Sequence, residues 1–289
     1  MTTIAAFGVT GNIGKHLLPL LASESTVEEI RILTKRPERI ESEVDNAKSE
    51  GKTMVVKKAD YCSDEKTVTS ILCGCQRLFV VLPQSSSSQD IIRRGKFVAD
   101  CALASGVESI VRISSLGIDQ HSVRFVGSQG PLGDAHVAVE KYCAEIGLNQ
   151  VSLRPTSLFS NISFNVDEIV SNSTMSTPLG RIAKVNWVSC EDVAKIAAKV
   201  LVAKSWDQYD RIIDVTGPPE NTVSGEEMAR IVSVSVGKPI EYKEVDIPPV
   251  PDYGGLWRFL RRGGYDCHCD SVERITSSPG QRLSEMKIE

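Results

Sequence analysis

Long apolar runs are missing from this 289-residue chain. No stretch approaches the roughly 20 consecutive apolar residues that span a bilayer, so no membrane helix is expected. The N-terminus passes directly into a strand-like run. It lacks the basic and then apolar regions of a secretory leader, so no signal peptide is expected and the reading is cytoplasmic. An excess of positive charge is lacking too: 33 Lys and Arg stand against 37 Asp and Glu, a formal net charge of -4. That balance gives no basic footprint for nucleic acid or for an anionic membrane surface, and neither partner is expected. The basic run RFLRR from Arg258 is too short to change this. No Gly-x-Ser-x-Gly elbow occurs, which leaves a serine hydrolase unsupported. The lysine-bearing phosphate loop of nucleotide hydrolases is absent as well. Cys267-His268-Cys269 has metal-ligand residue types, but a zinc site needs four ligands and no second pair stands at a suitable spacing, so no metal is expected. The eight cysteines are scattered, and a chain of this size folds without cross-links; free thiols in a reducing compartment are the expectation.

What is present is alternation. Short apolar runs at 3–7, 30–33, 53–60, 77–83, 109–114 and 150–155 read as strands. Between them, 12–22, 89–105 and 134–146 carry helical periodicity, with Ile13, Leu17, Leu20 and Leu21 on one face of the first and Pro19 expected to kink it. Repeated strand–helix–strand units predict an α/β fold, a Rossmann-type doubly wound parallel sheet. The texture changes after residue 155. Residues 185–201 read as a strand and then a helix opened by a capping box of Ser189 and Asp192. Residues 211–219 read as a strand, and Ser224 with Glu227 forms a second box opening a helix through Val236. Residues 239–246 suggest another strand, and the Pro- and Gly-rich 247–255 a loop. The expected organisation is a core over 1–155 and a smaller C-terminal region over 156–289 that covers the substrate cleft and sends elements back to the core.

The first strand ends at Phe7 and the first helix starts near Asn12. Between them stands Gly8-x-x-Gly11-x-x-Gly14. A strand-to-helix turn with this glycine spacing brings bare backbone against a ligand and lets the helix approach the sheet. Free amides and the helix dipole then favour an anion such as a pyrophosphate. Thr10, Asn12 and Ile13 share the turn; the alternative is a structural turn without a ligand. At the tip of the second strand a carboxylate would select NAD through the ribose hydroxyls. The sequence has Thr34-Lys35-Arg36 instead, and two cations suit the 2′-phosphate of NADPH. Asp60, after the third strand, is placed either at the adenine edge or as the cap of the next helix. The loop after strand 4, Leu82 and Pro83 with Gln84 toward the substrate, falls at the carboxyl ends of the strands, where such sheets bind ligands. The tail is aromatic, with Tyr253, Trp257, Phe259 and Tyr265, and is open to three roles: a lid presenting flat faces to a substrate, plain core, or a dimer surface.

GVTGNIG, the basic tip of strand 2, KKADYCS, the ISS that ends strand 5, and LRPTSLFSN over 153–161 resemble the NmrA-like group of atypical short-chain dehydrogenase/reductases. VSCEDVAKIAAKVL and DVTGPPENTVSGEEMARIVS are similar to that group's downstream pattern, so the resemblance spans about residues 3–245. It implies a small apolar or aromatic acceptor, such as a quinone, enone, ketone or iminium, a setting in secondary metabolism, and a monomer or homodimer. It equally admits regulators that bind the nucleotide without turning it over, and a non-redox isomerase or cyclase. The resemblance places Ser114 or Ser115 in the serine role at the end of strand 5, and Pro155 and Asn161 in the segment beside the nicotinamide. Phe159, Asn161 and Trp257 fall toward the substrate. It also places Leu132 and His136 where active short-chain dehydrogenases carry their tyrosine and lysine, with Glu140 matching the glutamate that follows. His136 then either serves the reaction as proton donor or orienting group, or has a surface or capping role. Tyr142 is read as helix core.

Overall fold

The first strand, β1 (Thr2–Phe7), lies inside a seven-stranded sheet and is buried over its last four residues. The computed structural model describes residues 1–42, 44–45, 51–83 and 87–286. The sheet runs in the order β10-β6-β5-β4-β1-β2-β3, with β2 at Val27–Thr34, β3 at Thr53–Lys58, β4 at Arg77–Val80, β5 at Ser109–Ile113, β6 at Asn149–Pro155 and β10 at Ile212–Val215. Neighbours from β3 through β6 pair in parallel. β6 and β10 also advance together, Ser152 N bonding Arg211 O and Thr156 N bonding Val215 O. The chain builds outward from β1 to β3, then returns to the other side of β1 as β4. Phe7 sits opposite Leu33 on one side and Val80 on the other, so the point where the strand order reverses lies just beyond Phe7.

Two compact units emerge, and they interleave along the chain. The first comprises residues 1–114, 135–153 and 193–213; the second comprises 115–134, 154–192 and 214–289. In the first unit, α1 (Gly14–Ser23) runs on through Pro19, which faces solvent, and buries Leu17, Leu18 and Leu21, with Leu18 where Leu20 was expected. α2 (Glu65–Leu72) and α3 (Ser88–Ala104) each start on a side-chain cap: Asp64 accepts from Thr67 N at 2.9 Å, and Ser87 from Asp90 N at 3.2 Å. α4 (Pro131–Glu145) packs on α3 where Gly95 has no side chain; a Cβ there would stand 2.6 Å from the methyls of Val139. Tyr142 is not core: half-buried on α4, it donates to Asp100 of α3 at 2.5 Å beneath the Lys96 ammonium.

The second unit has its own core, with Phe159, Trp187, Met228, Tyr242, Phe259 and Tyr265 among its members. Its strands form a three-stranded sheet, β7 (Ser157–Leu158), β9 (Val185–Val188) and β11 (Thr222–Val223), and a parallel pair, β8 (Thr174–Thr177) with β12 (Glu241–Glu244). α5 (Val166–Asn172) precedes β8, and α6 (Cys190–Val202) links this unit to the first. At the start of α6, Ser189 Oγ accepts from Asp192 N at 2.9 Å, one arm of the expected box, and the Asp192 carboxylate also accepts from Gln281 N at 2.7 Å. The box of Ser224 and Glu227 at α7 (Gly225–Val236) is complete. The segment expected to be a loop over 247–255 is helical from Pro251, as α8 (Pro251–Arg261). Proline at the first helical position needs no N–H. Gly255 is kept bare by packing, since a Cβ would overlap the Gln129 carbonyl and stand 2.8 Å from Gly130 Cα. α9 (Ser271–Thr276) follows. Among the described residues, no helix is long and apolar enough to cross a membrane.

Candidate functional site

Gly8 begins the turn at the reversal point with φ +83°, a conformation glycine adopts without strain. A Cβ on Gly8 would stand 2.9 Å from Val81 O, and one on Gly14 would overlap the backbone of Gly8 and Val9, 2.8 Å from Val9 C. Gly11 is exposed, and its Cβ would meet only Gly8 O, at 3.2 Å. The turn is therefore tight on its inner side and open at Gly11. Gly11 N bonds Gly8 O at 3.0 Å and Lys15 N bonds Gly11 O at 3.0 Å. Among the described residues, no backbone hydrogen bond uses the amides of Thr10, Asn12 or Ile13. Ile13, at the N-cap of α1, offers no side-chain cap. Donors left open at a helix start, in a turn stripped of side chains, fit a diphosphate.

One wall of the turn was not read from sequence. Tyr61 is buried, stacks on Phe7 with ring centroids 5.0 Å apart, and donates its hydroxyl to Val81 O. A Cβ on Gly8 would also lie 3.4 Å from the Tyr61 hydroxyl oxygen. Burial pushes the Tyr61 phenol far above its ordinary range, so it stays a neutral donor. The signal was available only as an aromatic next to Asp60; its partner Val81 lies 20 residues on.

Asp60, next to Tyr61, reaches the strand-2 tip. Thr34 is buried, and its Oγ1 accepts from Arg36 N at 3.1 Å, fixing the bend. Lys35 Nζ sits 2.7 Å from Asp60 Oδ2. Asp60 Oδ1 accepts from Cys62 N at 3.0 Å and from Ser63 Oγ at 3.3 Å. Asp60 thus closes its own turn and holds Lys35; the cap of the next helix is Asp64. Burial raises the Asp60 carboxyl, but Lys35, the Cys62 amide and the Ser63 hydroxyl outweigh it and hold the group below its usual value. The hydrogen bond to Asp60 raises Lys35 in turn. Arg36 is exposed, and among the described residues its guanidinium has no hydrogen bond or ion pair. Leu82 is buried and Pro83 half-buried beyond β4, and Gln84 lies outside the described residues.

The two serines at the end of β5 part company. Ser114 is buried, and its hydroxyl has no partner among the described residues. Ser115 is committed within the second unit: its Oγ lies 2.8 Å from the Tyr265 hydroxyl and 3.2 Å from Gln129 Oε1. Gln129 donates its amide to Leu116 O, which turns its oxygen toward Ser115 and settles the proton order as Tyr265 to Ser115 to Gln129. Burial pushes the Tyr265 phenol up to about 12. His136, half-buried on α4, has Nδ1 3.4 Å from an Arg112 Nη, and Arg112 pairs with Glu140 at 3.4 Å. A guanidinium only donates, so Nδ1 is placed to accept from it. Pro155, Phe159, Asn161 and Trp257 belong to the second unit. There Pro155 O accepts from Leu116 N at 3.1 Å, Phe159 is core, Asn161 is half-buried, and Trp257 packs at the core's edge. Phe259 and Tyr265 of the aromatic tail are core as well. Thr216 Oγ1 takes the Cys269 amide at 3.0 Å and lies 3.3 Å from His268 Nδ1, and among the described residues no three His, Cys, Asp or Glu converge as a metal site.

The model of the NmrA-like family matches residues 1–252. Among curated proteins, none matches the chain. Solved structures with a similar fold include a nucleoside-diphosphate-sugar epimerase from Staphylococcus aureus, 17% identical, covering 98% of each chain at a TM-score of 0.79. An NADPH-dependent quinone oxidoreductase from Escherichia coli complexed with NADPH is 20% identical, covering 98% of this chain and 97% of that one at 0.76. NmrA, a negative transcriptional regulator solved with NADP, is 14% identical, covering 98% and 93% at 0.72. At these identities the likeness is one of fold, and the three carry different functions.

Proposed function

The chain belongs to the NmrA-like family, and from that premise we propose that it is an NADPH-dependent reductase delivering hydride to a small apolar or aromatic acceptor: a quinone, enone, ketone or iminium. The observation that carries this reading is the turn at Gly8–Gly14, where Cβ atoms would collide and donors stand open, beside a strand tip that offers cations in place of a carboxylate. NADPH, when bound, supplies the hydride. The chain's residues supply the rest. The amides of Thr10, Asn12 and Ile13 receive the diphosphate, and the basic strand-2 tip faces the 2′-phosphate. Leu82 and Pro83 keep water from the carboxyl end of β4. The unpartnered Ser114 hydroxyl donates to an acceptor oxygen as charge develops on it. His136, half-buried beside Arg112, is placed to orient the acceptor or serve as a second donor. An iminium, whose charge is cancelled by hydride, needs neither proton, which suits a chain with Leu132 and His136 at the tyrosine and lysine places.

Those same two residues favour a second reading, a catalytically silent NADP(H)-sensing regulator that binds a protein partner; a non-redox isomerase or cyclase ranks third. As a reductase the protein works in the cytoplasm as a monomer or homodimer, in secondary metabolism, with no metal, nucleic acid or membrane partner. The test is NADPH consumption by the purified protein against a panel of quinones, enones, ketones and cyclic iminium ions, followed by nicotinamide absorbance. Acceptor-dependent consumption supports the reductase. Coenzyme binding with no turnover across the panel overturns it in favour of the sensor, and substrate conversion at constant absorbance in favour of the non-redox enzyme.

A further inference from the structure

The strand-2 tip carries two cations in sequence, but the structure gives them unequal circumstances. Lys35 extends to Asp60, at 2.7 Å, while Arg36 is exposed with no partner among the described residues. The Asp60 carboxylate is itself fixed: one oxygen holds the Cys62 amide and the Ser63 hydroxyl, which leaves the other for Lys35. Its side chain is only 14% exposed, whereas that of Lys35 is 65% exposed, so the carboxylate is the anchored member and the ammonium the visitor. We propose that Asp60 is a specificity-determining residue, tempering the preference for NADPH over NADH by neutralising Lys35 and leaving recognition of the 2′-phosphate to Arg36. The inference rests on the nucleotide site proposed above.

The net charge at the strand-2 tip sets the attraction for the phosphate. With Asp60 and Lys35 paired, the pair presents no net charge to an incoming phosphate, and Arg36 supplies the attraction. Arg36 suits the task, because a planar guanidinium meets phosphate oxygens two at a time. Removing the Asp60 charge releases one cation toward the phosphate; removing the Lys35 charge exposes one anion to it. Removing both restores neutrality. NADH, which has no 2′-phosphate, is indifferent to all three changes.

The experiment is a fluorescence titration of the purified full-length protein with NADPH and with NADH, at low and moderate salt. It compares wild type, Asp60→Asn, Lys35→Ala, the double variant and Arg36→Ala. Asn at 60 retains an oxygen for the Cys62 amide and so keeps the turn. Asp60→Asn is expected to tighten NADPH about three- to fivefold, the scale of an exposed ion pair. Lys35→Ala weakens NADPH by a similar factor and the double variant returns near wild type. Arg36→Ala weakens NADPH more than about tenfold, the scale of a charge-assisted hydrogen bond. NADH affinity stays within about twofold throughout, and higher salt narrows the NADPH differences. An unchanged or lowered NADPH-to-NADH preference in Asp60→Asn overturns the inference. So does parallel weakening of both coenzymes, which marks Asp60 as structural only. If Asp60→Asn does not fold, Lys35→Ala decides alone, and equal NADPH affinity in that variant overturns the inference. A wild-type protein that binds neither coenzyme overturns the nucleotide site itself, an outcome distinct from a preference that fails to move.

Discussion

The glycine turn makes a prediction in which stability and binding separate. Gly14→Ala places a methyl into the backbone of Gly8 and Val9, where nothing can swing aside. Overpacking of this kind costs about 1–3 kcal/mol. Gly14 is also the first residue of α1, where alanine's helix preference returns up to about 1 kcal/mol. The net loss expected is about 1–2 kcal/mol, or a Tm lower by about 2–8 °C. Gly11→Ala differs: its Cβ meets only Gly8 O, at 3.2 Å, and the position is exposed. The neighbour need give by only a few tenths of an ångström, so stability should change by less than about 0.5 kcal/mol. The Gly11 methyl nonetheless stands where the diphosphate must approach, and the Gly14 methyl displaces the Gly8–Val9 backbone of the same turn. Both variants should therefore lose at least about tenfold in NADPH affinity, or about 1.4 kcal/mol. Thermal unfolding and NADPH titration, run on the same preparations, read the two quantities. If Gly11→Ala keeps its stability and binds NADPH like wild type, the open side of the turn does not face the ligand and the site assignment fails.

The Ser114 and Ser115 variants should diverge. Ser114→Ala forfeits no hydrogen bond and should unfold within about 0.5 kcal/mol of wild type while slowing hydride transfer to a carbonyl acceptor about a hundredfold; Ser115→Ala breaks the bonds to Gln129 and Tyr265 and should lose about 1–2 kcal/mol. Denaturant unfolding and single-turnover kinetics separate these outcomes. In the second unit, the fully buried Arg154 guanidinium is met by both oxygens of Asp119, at 2.8 and 3.0 Å. Asp119→Asn removes the carboxylate charge facing that guanidinium and should cost about 1.5–3 kcal/mol in urea unfolding, the scale of hydrogen bonds to a charged group, with the Asp119 side chain 25% exposed. Burial raises the Asp119 carboxyl, but Arg154 and the His121 amide outweigh it and depress its folded pKa. Its stabilisation is therefore full above the unfolded value near ~4 and fades as pH falls through the folded one. The gap between wild type and Asp119→Asn in a pH series of unfolding curves should close on the acid side and stay constant above neutrality.

The sequence by itself determined the alternating strands, the doubly wound sheet and the glycine turn. Each rests on local signals: apolar periodicity, and glycines spaced at a strand end. It also determined that cations stand at the strand-2 tip, since that position lies a fixed distance along the chain from the turn. Ser224 with Glu227 was legible because a capping box closes over four residues. The tertiary structure alone decided how those charges are spent. Lys35 meets Asp60 between the carboxyl ends of the neighbouring strands β2 and β3, and Ser115 meets Tyr265 across 150 positions. Nothing in local composition separates Ser114 from Ser115; their environments differ because one hydroxyl found a distant partner and the other did not. Residues 251–255 were unreadable for the same reason. Pro-Asp-Tyr-Gly-Gly has the propensity of a loop, yet it is helical, and its Gly255 packs where a Cβ would collide with Gln129 and Gly130. Backbone preference is a property of a few adjacent residues, whereas partnership among buried polar groups is fixed only when distant segments are brought together, and at this site partnership sets which hydroxyls and cations remain open to a ligand.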